Sequence, residues 1–208
     1  MKNSPTNTFK KIFNEEAENY FEKLGRRFII DESNRNYFNF LCHYFSEDIK
    51  FEEEFGGNLK KGLMVFGDVG TGKSSSFNII QNISKKHEVR HLRFIKMTAN
   101  EVVTKYNETP LKDSVIRYCS KGTIYFDDLG SETVASNFGK EDIFIRILEL
   151  RYNDFIEKGT KTYLTTNYTL EEIYERYGVR VFDRFKEMFN FLEVRGRSKR
   201  IEENIQSD

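Results

Sequence analysis

Gly67-Asp68-Val69-Gly70-Thr71-Gly72-Lys73-Ser74 has the spacing G-x-x-x-x-G-K-[ST], and its residue types suit one chemistry. The glycines let the backbone curl so that successive N–H groups point at one anion, and a helix starting at the end of the loop adds positive potential. A lysine here reaches the β and γ oxygens of a bound triphosphate, and the serine hydroxyl after it is a hard oxygen ligand for Mg²⁺. A purely structural turn has no need of Lys73, so the segment from Gly67 through Ser74 to Ser75 reads as a binding site for ATP with Mg²⁺.

Two more groups of residues suit the same chemistry. The apolar run Ile124-Tyr125-Phe126 ends in Asp127-Asp128. Asp127 is expected to hold Mg²⁺ together with Ser74, and Asp128 to orient and deprotonate the attacking water. Thr165-Thr166-Asn167 closes a later run, which would put the amide of Asn167 beside the γ-phosphate and that water. Alone, an apolar strand ending in Asp-Asp is a weak motif, and an asparagine after a strand is often an ordinary turn residue. Their order after the glycine loop is what gives them weight.

Such residues need strands that end together. Apolar runs at 62–66, 89–97, 122–126, 161–165 and 189–194 read as five strands. Helices are expected between them: 74–84 after the glycine loop, one opened by the capping box Thr98-Ala-Asn-Glu101, and a short one starting at Thr109-Pro110. A long amphipathic helix over 140–158 stops at Gly159, and a second capping box lies at Thr169-Leu-Glu-Glu172. Strands alternating with helices imply a doubly wound α/β fold with a five-stranded parallel sheet and ligands at the carboxyl ends of its strands. Before it, Phe9, Ile12, Phe13, Ala17, Tyr20, Phe21 and Leu24 recur at helical spacing up to Gly25. A second helix carries Tyr37, Phe38, Leu41, Tyr44 and Phe45, with Asp31 or Ser33 as its N-cap, and 52–58 reads as a connector. The expected division is an N-terminal helical unit and connector over 1–58 and an ATPase domain over 59–208. The helical unit either packs on the ATPase core or presents a surface to a partner.

Taken in order, G-D-V-G-T-G-K-S, D-D-L-G-S-E, T-T-N, Y-G-V-R-V-F-D-R-F and G-R-S-K-R resemble the AAA+ ATPases of the DnaC/IstB group, which are bacterial helicase loaders and transposition helper ATPases. The resemblance spans residues 60–200. It implies the P-loop NTPase (AAA+) three-layer sandwich without a separate helical lid, and a homo-oligomer formed on nucleotide or DNA. By the same resemblance Asn167 corresponds to sensor 1, Arg184 to the arginine finger offered to a neighbouring subunit, with Arg180 as a second candidate, and Arg200 to sensor 2. A finger supplied in trans stabilises charge that grows in the transition state and couples hydrolysis to assembly. The competing reading is that Arg180 and Arg184 pair with Glu175 or Glu187 on a solvated helix face. Where this family usually has glutamate after the Mg²⁺-binding aspartate, the chain has Asp128, one methylene shorter, and Glu132 is a nearby substitute. Adenine recognition falls loosely on 28–30.

With 33 Lys+Arg against 33 Asp+Glu in 208 residues, no whole-molecule charge draws the chain to nucleic acid or membrane. Any DNA contact must come from a patch, and the resemblance points to single-stranded DNA. Lys105, Lys112, Arg117 and Lys121, interleaved with Tyr106 and Tyr118, form one candidate patch, and Arg195, Arg197, Lys199 and Arg200 another. Cys42 and Cys119 are read as buried apolar residues, and His87 and His91 as no metal pair. No run approaches the roughly 18 apolar residues that span a bilayer, and the start lacks a signal peptide, so a cytoplasmic protein is expected. The leading expectation is a DnaC-type loader that assembles or remodels a replicative helicase on DNA. The alternatives are an IstB-like helper for a transposase and a nucleotide-gated binding module with little hydrolysis. A small-molecule kinase is disfavoured by the series Asn167, Arg184, Arg200.

Overall fold

The computed structural model describes residues 4–132, 135–136 and 140–199. Their order is α1 (Pro5–Glu22), α2 (Arg35–Phe45), α3 (Lys50–Phe55), β1 (Gly62–Gly67), α4 (Lys73–Lys86), a 3₁₀ turn (Arg90–Leu92), β2 (Ile95–Thr98), α5 (Ala99–Glu108), α6 (Lys112–Cys119), β3 (Ile124–Asp127), β4 (Ala135–Ser136), β5 (Lys140–Glu141), α7 (Ile143–Lys158), β6 (Thr162–Thr166), α8 (Leu170–Met188) and β7 (Phe189–Val194). Two compact units result, one from Met1–Leu59, Asp68–Arg93 and Glu193–Asp208, the other from Lys60–Gly67 and Phe94–Leu192.

The second unit is built on the expected sheet, with strand order β2-β3-β6-β1-β7. Leu63 to Phe66 stand opposite Tyr163 to Thr166, and Ile124 to Phe126 opposite Thr162 to Leu164, all parallel. Parallel strands buried on both faces read as continuous apolar runs. Here Met64, Phe126 and Leu164 join the core under α5 to α8, while the alternating Leu63, Val65, Tyr125 and Tyr163 are also buried. Arg151 of α7 is fully buried, its guanidinium donating to the carbonyls of Cys119, Gly122 and Lys161 and to the Thr162 hydroxyl. Burial brings its pKa down to about 10.

Local sequence signals hold at several ends and fail at others. Both capping boxes form, at Thr98 with Glu101 and at Thr169 with Glu172. Gly159 ends α7 with φ 67. The helix expected from Lys140 begins instead at Ile143, because Lys140 and Glu141 pair antiparallel with Ser136 and Ala135, and the Asp142 carboxylate caps the Phe144 N–H. Strand β2 starts at Ile95 rather than at residue 89, since Arg90–Leu92 is a 3₁₀ turn. Pro110 precedes α6 instead of opening it: the Thr109 hydroxyl accepts from Leu111 N–H, and the helix starts at Lys112. Glycine-kinked α8 bends at Gly178, where φ is 83 and ψ 163.

In the first unit α1 and α2 pack on α4. The Asn78 amide donates to Tyr20 at 3.0 Å, Tyr37 to the Ser76 hydroxyl at 2.9 Å, and Lys86 pairs with Glu16 at 3.1 Å. Phe28 joins Phe13, Phe21 and Phe38 in an aromatic cluster that binds the loop after α1 to both helices. Neither Asp31 nor Ser33 caps α2; Asn34 is the N-cap, while Asp31 accepts from the Ser33 N–H and hydroxyl. Part of the expected connector is helical: α3 buries Phe51 completely and ends at Gly56 with φ 62. Asp48, just before it, accepts from Thr6 at 2.6 Å and Ser4 at 2.9 Å, which ties the start of α1 to the α2–α3 turn. Those hydrogen bonds, Thr6 first, hold its pKa down at about 2. Cys42 and Cys119 are free thiols, and burial raises them to about 12 and about 11. His87 ends α4, and a ring nitrogen of His91 lies 3.2 Å from the Phe45 carbonyl oxygen. Among the described residues no helix is long and apolar enough to cross a membrane.

Candidate nucleotide site

In the first unit, residues 68–72 form a curled loop that opens α4. Gly70 and Gly72 have φ 79 and 95, a region that side chains with a Cβ rarely adopt, so glycine is required for the curl. Gly72 is the N-cap of α4 and carries no side chain that could cap the N–H groups of its first turn. The Thr71 hydroxyl and the Lys73 ammonium both donate to the Asp68 carbonyl, at 2.9 and 2.6 Å. Lys73 is 5% exposed, so its charge is held at the loop rather than in bulk water.

The segment after β7 straps this loop. Asp68 N–H donates to the Val194 carbonyl at 3.0 Å, Gly196 N–H to the Asp68 carboxylate at 2.9 Å, and Lys199 N–H to the Gly70 carbonyl at 3.1 Å. A Cβ on Gly70 would come within 2.1 Å of the Ser198 hydroxyl oxygen. Lys199 also donates to Asp31 at 2.6 Å, which with the Ser33 bonds holds the Asp31 carboxyl at about 2. Two of the four cations of the 195–200 patch are therefore matched to acids within the chain, since Arg195 pairs with Glu193 at 2.7 Å. Arg200 lies outside the described residues.

In the second unit, β3 and β6 bring Asp127, Asp128, Thr165 and Asn167 together. Asp127 is 6% exposed. Its Oδ1 accepts from the hydroxyls of Tyr125 and Thr165, each at 2.6 Å, and its Oδ2 lies 3.2 Å from Lys96 Nζ. Thr165 also accepts from Asp128 N–H at 3.2 Å, and Asn167 Nδ2 donates to Asp128 Oδ1 at 3.1 Å. Asp128 has φ 57, a left-handed pose that aspartate tolerates better than most residues and that turns the chain sharply after β3. Lys96, Tyr125 and Thr165 were not anticipated as site residues. Tyr125 could have been, because it stands two residues before Asp127 and so on the same strand face. Lys96 and Thr165 follow only from the pairing of strands distant in sequence.

Glu132, expected as a nearby substitute for Asp128, is engaged by other groups. Its carboxylate is buried, accepting from Gly130 N–H, from Arg176 at 2.9 Å and from Tyr177. Burial raises its pKa. Arg184 and Arg180 pair with neither Glu175 nor Glu187: both meet Glu149 of α7, at 3.1 and 3.4 Å, and Arg184 also lies over the Tyr152 ring at 4.8 Å. Tyr106 is 2% exposed and cannot stack on a base, with Lys112 folded over its ring; Tyr118 is exposed. Around 28–30, Phe28 is held in its aromatic cluster while Ile29 is 62% exposed.

The donors fit the groups the motif implies. A hydroxyl from Ser74 and a carboxylate from Asp127 are hard oxygens of the kind Mg²⁺ takes beside phosphate and water. The described residues hold no cluster of three or more His, Cys, Asp or Glu that would cage a metal by protein ligands alone.

Neither protein-family models nor curated protein sequences match this chain. Solved structures do. A DnaC helicase loader aligns over 89% of this chain and 99% of its own, at 18% identity and TM-score 0.56. DnaI aligns over 72% and 84%, at 22% identity and TM-score 0.50. The replication initiator DnaA bound to AMPPCP and single-stranded DNA aligns over 82% of this chain, at 18% identity and TM-score 0.51, and the chain spans 49% of it. At these identities the likeness establishes the fold alone, an α/β architecture with a five-stranded parallel sheet.

Proposed function

We propose that the chain binds ATP with Mg²⁺ on the loop from Gly67 to Ser75, hydrolyses it, and uses the cycle to assemble or remodel a partner on DNA, as an AAA+ protein of the DnaC loader kind. One observation carries the reading. The glycine loop continues directly from β1, whose neighbour β6 ends at Thr166, just before Asn167, and whose next neighbour β3 ends at Asp127, just before Asp128. Parallel strands put these three ends on one edge of one sheet, which is where ligands of open α/β sheets bind.

In this reading the loop N–H groups and Lys73 take the phosphates, Lys73 leaving the Asp68 carbonyl to do so. Ser74 and Asp127 would hold Mg²⁺, which when bound offsets the charge on the β and γ oxygens. Asp128, steadied by Asn167, orients a water and accepts its proton. Arg184, released from Glu149, serves a neighbouring copy, and Arg200 the nucleotide of its own chain. The similar DnaA structure is bound to both AMPPCP and single-stranded DNA, which supports testing a nucleotide and a DNA strand here.

The test is ATP turnover with and without single-stranded DNA, by wild type and Asp128→Asn. Turnover that falls about 10²-fold in the variant while ATP binding persists supports the enzyme. Equal, negligible turnover in both proteins, with binding retained, supports instead a nucleotide-gated binding module. The shorter Asp128 side chain, tied to Asn167, favours that second reading.

A further inference from the structure

We propose that Lys96 and nucleotide-borne Mg²⁺ compete for Oδ2 of Asp127, so that Lys96 sets how much Mg²⁺ the site requires; this rests on Asp127 being the Mg²⁺ ligand. The two oxygens of this carboxylate are differently placed. Oδ1 is held by two hydroxyls, from Tyr125 and Thr165, which fix the carboxylate plane. Oδ2 faces a cation, Lys96 Nζ, at 3.2 Å. Oδ2 is therefore the oxygen from which another cation can be taken up by exchanging one positive charge for another, with the hydroxyl bonds left in place.

Strand register puts the lysine there. Thr98 is the partner of Asp127 and Lys96 the partner of Tyr125, so Lys96, Tyr125 and Asp127 share one face of the sheet. Lys96 Nζ lies over the Tyr125 ring, 5.8 Å from its centroid. The lysine side chain is 25% exposed, against 8% for Asp127. It can swing toward solvent while the carboxylate stays fixed. An ammonium is a mobile point charge on a flexible stem, which suits it to a site that must be vacated.

The experiment is a Mg²⁺ titration in the presence of a fluorescent, non-hydrolysable ATP analogue, read as the Mg²⁺ concentration at half-maximal binding. Lys96→Met is expected to lower that concentration by about twofold to fivefold, the range for a partly exposed ion pair. Lys96→Arg should keep the wild-type midpoint, and analogue binding in EDTA should be the same in all three. In an Asp127→Asn background Lys96→Met should have no effect, which isolates the pairwise coupling. A midpoint unchanged or raised in Lys96→Met overturns the competition, and Lys96→Gln, with the same expected shift, takes its place if the methionine variant is unstable. If the wild type shows no Mg²⁺-dependent binding at all, the reading of Asp127 falls and the competition with it. If wild-type binding is Mg²⁺-dependent and only the shift is missing, the competition alone falls.

Discussion

Thr165 illustrates how much one hydroxyl arranges at this site. It donates to Asp127, accepts from the backbone of Asp128, and is fully buried. A buried donor or acceptor left without its partner costs about 1–3 kcal/mol. Thr165→Val, which keeps shape and removes the hydroxyl, should lower thermal stability by about that amount and weaken Mg²⁺-dependent nucleotide binding more than binding in EDTA. Unchanged melting and an unchanged Mg²⁺ dependence would mean that the Asp127 carboxylate is held by other groups. Lys73, Ser74, Asp127 and Asn167, the residues proposed for the site, are legible as candidates from local spacing alone. Their partners are not, because Lys96, Thr165 and the Glu149 contact of Arg184 arise from neighbours brought together only by strand and helix pairing.

Elements whose ends are written within four residues are equally legible, as the capping boxes at Thr98 and Thr169 and the stop at Gly159 illustrate. Elements defined by a distant partner are not. Lys140 and Glu141 look like the start of an amphipathic helix until Ala135 and Ser136 supply a strand. Six-residue α3 is too short to show a period, and its glutamates look like a connector. The attachment of α1 has a further consequence. Asp48 has a folded-state pKa of about 2, below its ordinary 3.8, so its contribution is present above pH 4 and is lost as the pH falls toward 2. Hydrogen exchange should therefore show the α1 amides losing protection over that interval before the sheet strands do. Asp48→Asn should show weaker α1 protection already at neutral pH, with a flatter acid dependence. Protection of α1 that is independent of pH between 5 and 2 would contradict this.

For the whole molecule, the order of strands in the sheet turns separate motifs into one proposal. The loop after β1, the carboxylates at the end of β3 and the amide after β6 are far apart in the chain, yet β1, β6 and β3 are consecutive in the sheet. Solved replication proteins share this architecture at identities of 18–22%, which is a likeness of fold and leaves the chemistry to direct measurement. The most direct is calorimetric titration of Mg²⁺-ATP into wild type and Lys73→Ala. A saturable one-site isotherm for the wild type, weakened at least about tenfold by loss of a charge-assisted contact to phosphate, is the expected result. No binding by the wild type, or equal binding by both proteins, would contradict a triphosphate held on the glycine loop.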